Sequence, residues 1–219
     1  MRQTAFYDVD DTLINIKSMF DFFQFWASEN GLISQQEQFD SQFSVLARKM
    51  SSREELNRAY YRFFKGVPLL KIEQCAERWF KNSFSNTEIF ISYTLKSILA
   101  HRVLGHNIVL VSGSMTPLLK PIAQLLGITD ILCTKLATDQ SGVVTGEILE
   151  TQTIGEGKAI VIRQYALEND INLSACFAYG DDVSDIPMLA CVGHPICIGE
   201  GTALSHYASN NNWPIVRVE

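Results

Sequence analysis

Short runs that are apolar throughout, each stopping at a cluster of small polar and acidic residues, constrain this chain more than any other feature. Thr4 to Val9 (TAFYDV) ends in Asp8-Val-Asp10-Asp11-Thr12, and Asn107 to Val111 (NIVLV) ends in Ser112-Gly113-Ser114. Ala175 to Tyr179 ends in Gly180-Asp181-Asp182-Val-Ser184-Asp185. A strand with one solvated face alternates apolar and polar residues, so runs without alternation describe strands buried on both faces. Segments with helical spacing lie between them: a helix near Thr87 to Leu104, one over Met115 to Leu126 and one over Gly157 to Asn169. A further strand is expected over Asp130 to Thr134, then a hairpin over Lys135 to Glu150 turning near Asp139 to Gly142. Helices alternating with buried strands predict an open α/β fold, a parallel sheet covered on both faces.

Between the first two strands the texture changes. From about Ile16 to Ser83 the chain is rich in aromatic residues at helical spacing, such as Met19, Phe22, Phe23 and Trp26, punctuated by Gly31, Ser51-Ser52 and Gly66-Val-Pro68. This pattern predicts several amphipathic helices forming an insert, with the aromatic stripe as its core. A chain of 219 residues, 47% of them hydrophobic, is long enough for one core domain and a small companion.

Composition removes several function classes. The formal charge is −6 with acids and bases interspersed, so there is no basic face for a phosphate backbone and nucleic acid is not an expected partner. The five cysteines form no CxxC pair, and several sit in apolar runs; a reducing, cytoplasmic setting is expected. No signal-peptide core and no apolar run of membrane-spanning length occurs, which predicts a soluble protein without a membrane partner. The four histidines share no ligand spacing and receive no catalytic role, and nothing in the pattern sets an oligomeric state.

A fourth cluster, Gly155-Glu-Gly157-Lys158, opens a helix. In open α/β sheets ligands bind beyond the carboxyl ends of the strands, where these clusters can converge. Carboxylates grouped there need a compensating cation, and oxygen-only ligands suit Mg2+. The residue types fit phosphoryl transfer. A carboxylate can attack phosphorus and split one hard hydrolysis into two easier displacements. A second acid two residues along can protonate the leaving alcohol and later activate water. Lys158, Ser112 and the backbone N–H groups near Gly113 would meet the charge on the phosphoryl oxygens.

The strand followed by DVDDT, the VLVSGS strand end, the GKA lysine and the YGDDVSDIPML segment together resemble the haloacid dehalogenase superfamily of aspartate-nucleophile phosphatases, in particular its phosphoserine-phosphatase-like branch. The resemblance covers Gln3 to Leu13 and about Asn107 to Ile198, with four motifs in order. It implies a Rossmann-like three-layer α/β/α core with a parallel sheet, formed by residues 1–15 and 86–219, and a small all-helical cap at 16–85 that closes over the site. It implies Asp8 as nucleophile and metal ligand, and Asp10 as general acid/base that binds Mg2+ through its backbone carbonyl. Ser112, Gly113 and Lys158 would hold the phosphoryl group, Asp181 would ligate Mg2+, and Asp185 would sit in or just behind the metal's ligand shell. The expected activity is hydrolysis of a small phosphorylated metabolite through an aspartyl phosphate.

Two departures bear on substrate. Where phosphoserine phosphatases carry an acid for the substrate's ammonium, nine residues after the nucleophile, this chain has Lys17, which repels an ammonium and disfavours phosphoserine. If it faces the pocket, Lys17 would favour an anionic or hydroxyl-rich group. Asp182-Val-Ser184 replaces the branch's usual Gly-x-Asn. Asp11 and Asp182 are expected to shape loops, and Ser114 and Thr12 to bond locally to backbone, Thr12 also being within reach of phosphate. Arg48, Lys49, Arg53, Arg58 and Arg62 read as a solvated helix face from which one could point into the pocket. A phosphotransferase or mutase would use the same residues, differing only in the acceptor. A dehalogenase needs neither Asp10 nor Asp181, and a non-catalytic phosphate- or metal-binding module has no need for the whole set.

Overall fold

The computed structural model describes residues 3–32, 34, 37–41, 45, 52–85 and 87–218. Its central sheet has six strands, all paired in parallel: β1 (Thr4–Tyr7), β2 (Asn107–Met115), β3 (Asp130–Thr134), β6 (Phe177–Gly180), β7 (His194–Ile198) and β8 (Ile215–Val216), in the order β3-β2-β1-β6-β7-β8. β4 (Leu136–Thr138) and β5 (Val144–Ile148) form a separate antiparallel hairpin. The helices fully bounded within the described residues are α1 (Ser18–Glu29), α2 (Arg53–Arg62), α3 (Leu69–Ser83), α4 (Ser92–Val103), α5 (Thr116–Leu125), α6 (Glu156–Glu168), α7 (Ile186–Ala190) and α8 (Ala203–Asn210).

Neighbouring residues of a strand point to opposite faces of the sheet. In β1, Ala5 and Tyr7 join one core with Ile98 of α4 and Leu118, Leu119 and Ile122 of α5. Phe6 joins the other with Ile162 of α6, Met188 and Leu189 of α7 and Leu204 of α8. Both faces are therefore covered, which is the three-layer α/β/α arrangement. β1, β2 up to Val111 and β6 are largely apolar because neither face meets water there.

The helices between β1 and β2 carry an aromatic core that runs into the first of these clusters. Phe22, Phe23, Tyr60, Phe64 and Trp79 are fully buried, with Phe22 against Phe64 at 6.1 Å and against Trp79 at 5.9 Å between ring centres. Asp21 accepts a 2.6 Å hydrogen bond from Trp79 Nε1, which joins α1 to α3. The stripe predicted as core is core, apart from the partly buried Met19. α2 is capped by Ser52, whose hydroxyl accepts from Glu55 N while the Glu55 side chain returns to Ser52 N, so two of the exposed donors of its first turn are met.

Element ends differ from the sequence pattern in instructive ways. β1 stops at Tyr7 rather than Val9, because Asp11 takes a left-handed conformation (φ 58°) and turns the chain. β2 continues through Ser112-Gly113-Ser114, which was expected to be a turn; a register shift between Ser112 and Met115 absorbs it within the strand. The helix expected over Thr87 to Leu104 is a 3-10 turn at 87–89 followed by α4. β6 begins at Phe177 because Leu173–Ala175 forms another such turn. Among the described residues no helix is long and apolar enough to cross a membrane.

Candidate active site

The sheet order places the ends of β2, β1 and β6 side by side, so the clusters that follow them meet at one edge. Asp8 follows β1 and is tied to the neighbouring strand β6 through its N–H, which donates to Tyr179 O at 2.9 Å. Lys158 arrives from the first turn of α6. That helix can begin so close to the preceding loop only with glycine at 157, since a Cβ there would lie 1.8 Å from Gln152 O.

Lys158 Nζ donates to Asp8 Oδ1 at 2.5 Å and to Asp185 Oδ1 at 2.6 Å, all three residues being buried. The other oxygen of Asp185 accepts from the N–H groups of Asp181 and Asp182, each at 3.2 Å, and so braces the loop after β6. Gly180 is required by that bracing, because a Cβ would lie 2.7 Å from the Asp185 side chain. Thr12 Oγ1 donates to Asp181 Oδ1 at 2.9 Å. Thr12 therefore orients a carboxylate instead of making the local backbone bond expected of it.

Carboxylate oxygens of Asp8, Asp181 and Asp185 lie within 4.8 Å of one another. Burial, offset in part by Lys158 and reinforced by Asp185 and Asp181, holds the Asp8 carboxyl well above the usual carboxylate range. Burial and Asp185 push Asp181 up to about 6. Burial opposes the charge on Lys158, but Asp185 and Asp8 outweigh it and raise its pKa. Three carboxylates thus face one ammonium, and the surplus negative charge with hard oxygen donors fits a divalent cation. The side chain of Asp10 stands outside this trio. It is pushed up to about 6 by burial, against hydrogen bonding with Ser18, and its Oδ1 has no protein partner among the described residues.

A cavity of about 210 Å³ opens on these groups, lined by Asp8, Asp10, Ser112, Gly113, Lys158 and Asp181 on the sheet side. Ser112 Oγ accepts from Ser114 N at 3.0 Å, which leaves its proton to be donated into the cavity. Ser114 receives the Ser18 hydroxyl at 3.2 Å, tying β2 to the start of α1. The Gly113 carbonyl accepts from Asn57 Nδ2 at 3.0 Å and from the Tyr61 hydroxyl at 2.7 Å. Gln152 Nε2 then donates to Asn57 Oδ1 at 2.9 Å, locking α2 onto the strand end and onto the loop before α6. Asn57, Tyr61 and Gln152 belong to no sequence motif and were not anticipated.

Met19, Phe20, Leu56, Tyr60 and Ile154 supply the apolar part of the lining, with Lys17 and Arg53 also lining the cavity. Lys17 faces the cavity as its position suggested, but its ammonium is paired with the Asp11 carboxylate. Asp182 accepts from Ser184 N at 2.9 Å and pairs with Arg53 at 2.5 Å. Both acids therefore do more than shape loops: each neutralises a cation at the cavity. Arg53 is the member of the basic helix face that reaches the site, whereas Arg58 is exposed and Arg62 pairs at 3.8 Å with Glu147 of the hairpin. Arg48 and Lys49 lie outside the described residues.

A model of the family described as haloacid dehalogenase-like hydrolase matches residues 5–190. The chain is 30% identical over 220 residues to the Inhibition of morphological differentiation protein of Streptomyces azureus, covering 98% of this chain and 78% of that one. It is 27% identical over 224 residues to the Histidinol-phosphatase of Neisseria meningitidis serogroup C, covering 99% of each. Among solved structures, a phospho-aspartyl intermediate analogue of phosphoserine phosphatase superposes with a TM-score of 0.68 at 20% identity, covering 99% of this chain and 93% of the other. That last likeness shows a shared fold.

Proposed function

This chain belongs to the haloacid dehalogenase-like hydrolases, and from that premise we propose that it is a Mg2+-dependent phosphatase acting on a small phosphomonoester. The observation that carries the reading is the pairing of Asp8 with Lys158 at the mouth of β1, with two further carboxylates beside them. A full-length relative named Histidinol-phosphatase supports it.

In the proposed reaction a carboxylate oxygen of Asp8 forms a bond to phosphorus as the ester P–O bond breaks, and Asp10 delivers its proton to the departing alkoxide. Burial brings the pKa of Asp10 up to about 6, nearer to neutral pH than an ordinary carboxyl and so better matched both to giving a proton and to taking one back. Asp10 then removes a proton from water, whose oxygen attacks phosphorus and releases Asp8 and inorganic phosphate. Ser112 and the Gly113 N–H donate to the phosphoryl oxygens, and Lys158 shares its charge between them and Asp8. The side chains of Asp8, Asp181 and Asp185 and the carbonyl of Asp10 would hold Mg2+, which when bound would supply positive charge against the carboxylates and the phosphoryl group. Residues 16–85 serve as a cap on a core made of 1–15 and 86–219, and its closure keeps bulk water from the intermediate. The setting is cytoplasmic and the partner a small phosphorylated metabolite.

The test is phosphate release from 4-nitrophenyl phosphate with Mg2+ or with chelator, for the wild type and for Asp8→Asn. Activity that needs Mg2+ and disappears in a folded Asp8→Asn protein is the expected result. Undiminished turnover in that variant sinks the mechanism.

A further inference from the structure

We infer that the alcohol part of the substrate is apolar and carries no anionic group, a deepening of the phosphatase reading on which it rests. Two observations on different elements carry it. The first is the apolar part of the lining: Met19 and Phe20 from α1, Leu56 and Tyr60 from α2, and Ile154 from the loop before α6. Side chains from three segments present carbon surface to the same space, and a group that fills it gains by leaving water.

The second observation is the state of the cations. Among the described residues the cavity holds three: Lys17, Arg53 and Lys158. Each already has an acidic partner, in Asp11, Asp182 and the Asp8–Asp185 pair respectively. Lys158 is committed to the phosphoryl end. A carboxylate or second phosphate on the alcohol would have to displace Asp11 or Asp182, exchanging one partly exposed ion pair for another with little net gain. It would also enter a space lined by Asp8, Asp10, Asp181, Asp182 and Asp185, whose charge opposes a second anion. An anionic or hydroxyl-rich group, expected if Lys17 faces the pocket, would have to compete with Asp11 for that ammonium.

The experiment compares esters of primary alcohols with similar leaving groups: 2-phenylethyl phosphate, ethyl phosphate and 3-phosphonooxypropanoate. The expected order of kcat/KM is phenylethyl over ethyl by about tenfold or more, as for an apolar group entering an apolar pocket, with the carboxylate ester below both. Asp182→Asn, which frees Arg53, should raise the carboxylate-to-phenylethyl ratio by about tenfold. Leu56→Ala should lower the phenylethyl-to-ethyl ratio. A wild type that prefers the carboxylate ester, or that does not distinguish phenylethyl from ethyl, overturns the inference. Calorimetry with the non-hydrolysable 3-phenylpropylphosphonate and 4-phosphonobutanoate separates the two readings. Preferred binding of the phenyl compound without turnover of any ester sinks the phosphatase function and supports the pocket. Turnover with preferred binding of the carboxylate compound does the reverse.

Discussion

The Lys158 ammonium lies 2.5 Å from Oδ1 of Asp8, joining residues 150 positions apart. Its charge opposes the burial that raises the pKa of the Asp8 carboxyl, and it is the cation nearest to where the phosphoryl oxygens would arrive. Lys158→Met should therefore lower kcat by about a hundredfold or more. It also leaves Asp8 and Asp185 without their buried partner, which should cost about 3 kcal/mol of stability in the absence of metal. Arginine at 158 should not restore activity, because its planar fork does not replace a compact ammonium between two carboxylates. Steady-state kinetics and urea unfolding check both effects, and a Lys158→Met enzyme with wild-type kcat would remove Lys158 from the mechanism.

Asp10 has a different signature. If it protonates the leaving alcohol, its loss matters most when that alcohol is a poor leaving group. Asp10→Asn keeps the shape and should cost about 10²- to 10⁴-fold in kcat on an alkyl phosphate. On 4-nitrophenyl phosphate, whose phenolate departs unaided, the first step should be much less affected. Single-turnover measurements on both esters read this difference directly. Equal losses on the two would assign Asp10 a positioning role instead.

The three clustered carboxylates make stability depend on the cation. Mg2+ at about a hundred times its dissociation constant should add about 2.7 kcal/mol, which for a chain of this size raises Tm by roughly 5–10 °C. Asp181→Asn removes one donor and should flatten that response while leaving the Lys158 pairs in place. Thermal melts across a Mg2+ titration give the answer. A wild type whose Tm is indifferent to Mg2+ would exclude the trio as its site.

The contacts of α2 with β2 allow a simpler prediction. The Gly113 carbonyl takes two hydrogen bonds, from Asn57 and from Tyr61. Tyr61→Phe deletes one and should cost about 1 kcal/mol, whereas Asn57→Ala should cost more because Gln152 also loses one of its two acceptors, keeping Glu54 O. Combining them should give more than the sum, since either donor alone still satisfies the carbonyl and only the double variant removes both. Urea midpoints of the single and double variants measure this.

How much of this was legible in the sequence follows from the range of each interaction. The strands β1, β2 and β6 announce themselves as apolar runs, and the groups that meet at the site stand next to their ends, so Asp8, Ser112, Asp181 and Lys158 could be named together. β7, α8 and β8 passed unread: Pro195 and His194 interrupt the apolar pattern of β7, and α8 is largely polar and small. The partners of the site were equally hidden. Asn57 meets Gly113 across 56 positions, and Arg53 meets Asp182 across 129. Only the folded arrangement of α2 decides which arginine of a basic helix face turns inward. The same holds for Thr12, whose hydroxyl is at the right place for a turn but finds Asp181 instead.

His101 shows how a residue without a role in the site still sets a condition on the fold. Its ring is buried, with Nε2 2.8 Å from the Tyr179 hydroxyl and Nδ1 2.9 Å from Nδ1 of His106. Burial, and then the neighbouring His106, lower its pKa to about 4. In the unfolded chain a histidine titrates near ~6.5. Between those values the unfolded state binds a proton that the folded state does not, so stability is full above about 6.5 and falls as pH drops towards about 4. Asp10 and Asp181, both raised to about 6, act in the opposite direction over part of this window, so the slope of the wild type alone mixes the two. They are common to wild type and His101→Gln, and the difference between these proteins isolates the histidine. The variant should be less stable at pH 7, because it loses the packing of the ring, and the gap should narrow steadily as pH falls from 6.5 to 4. Unfolding midpoints at half-unit pH steps test this, and a gap that stays constant over the range would mean that His101 takes up its proton as readily in the fold as outside it.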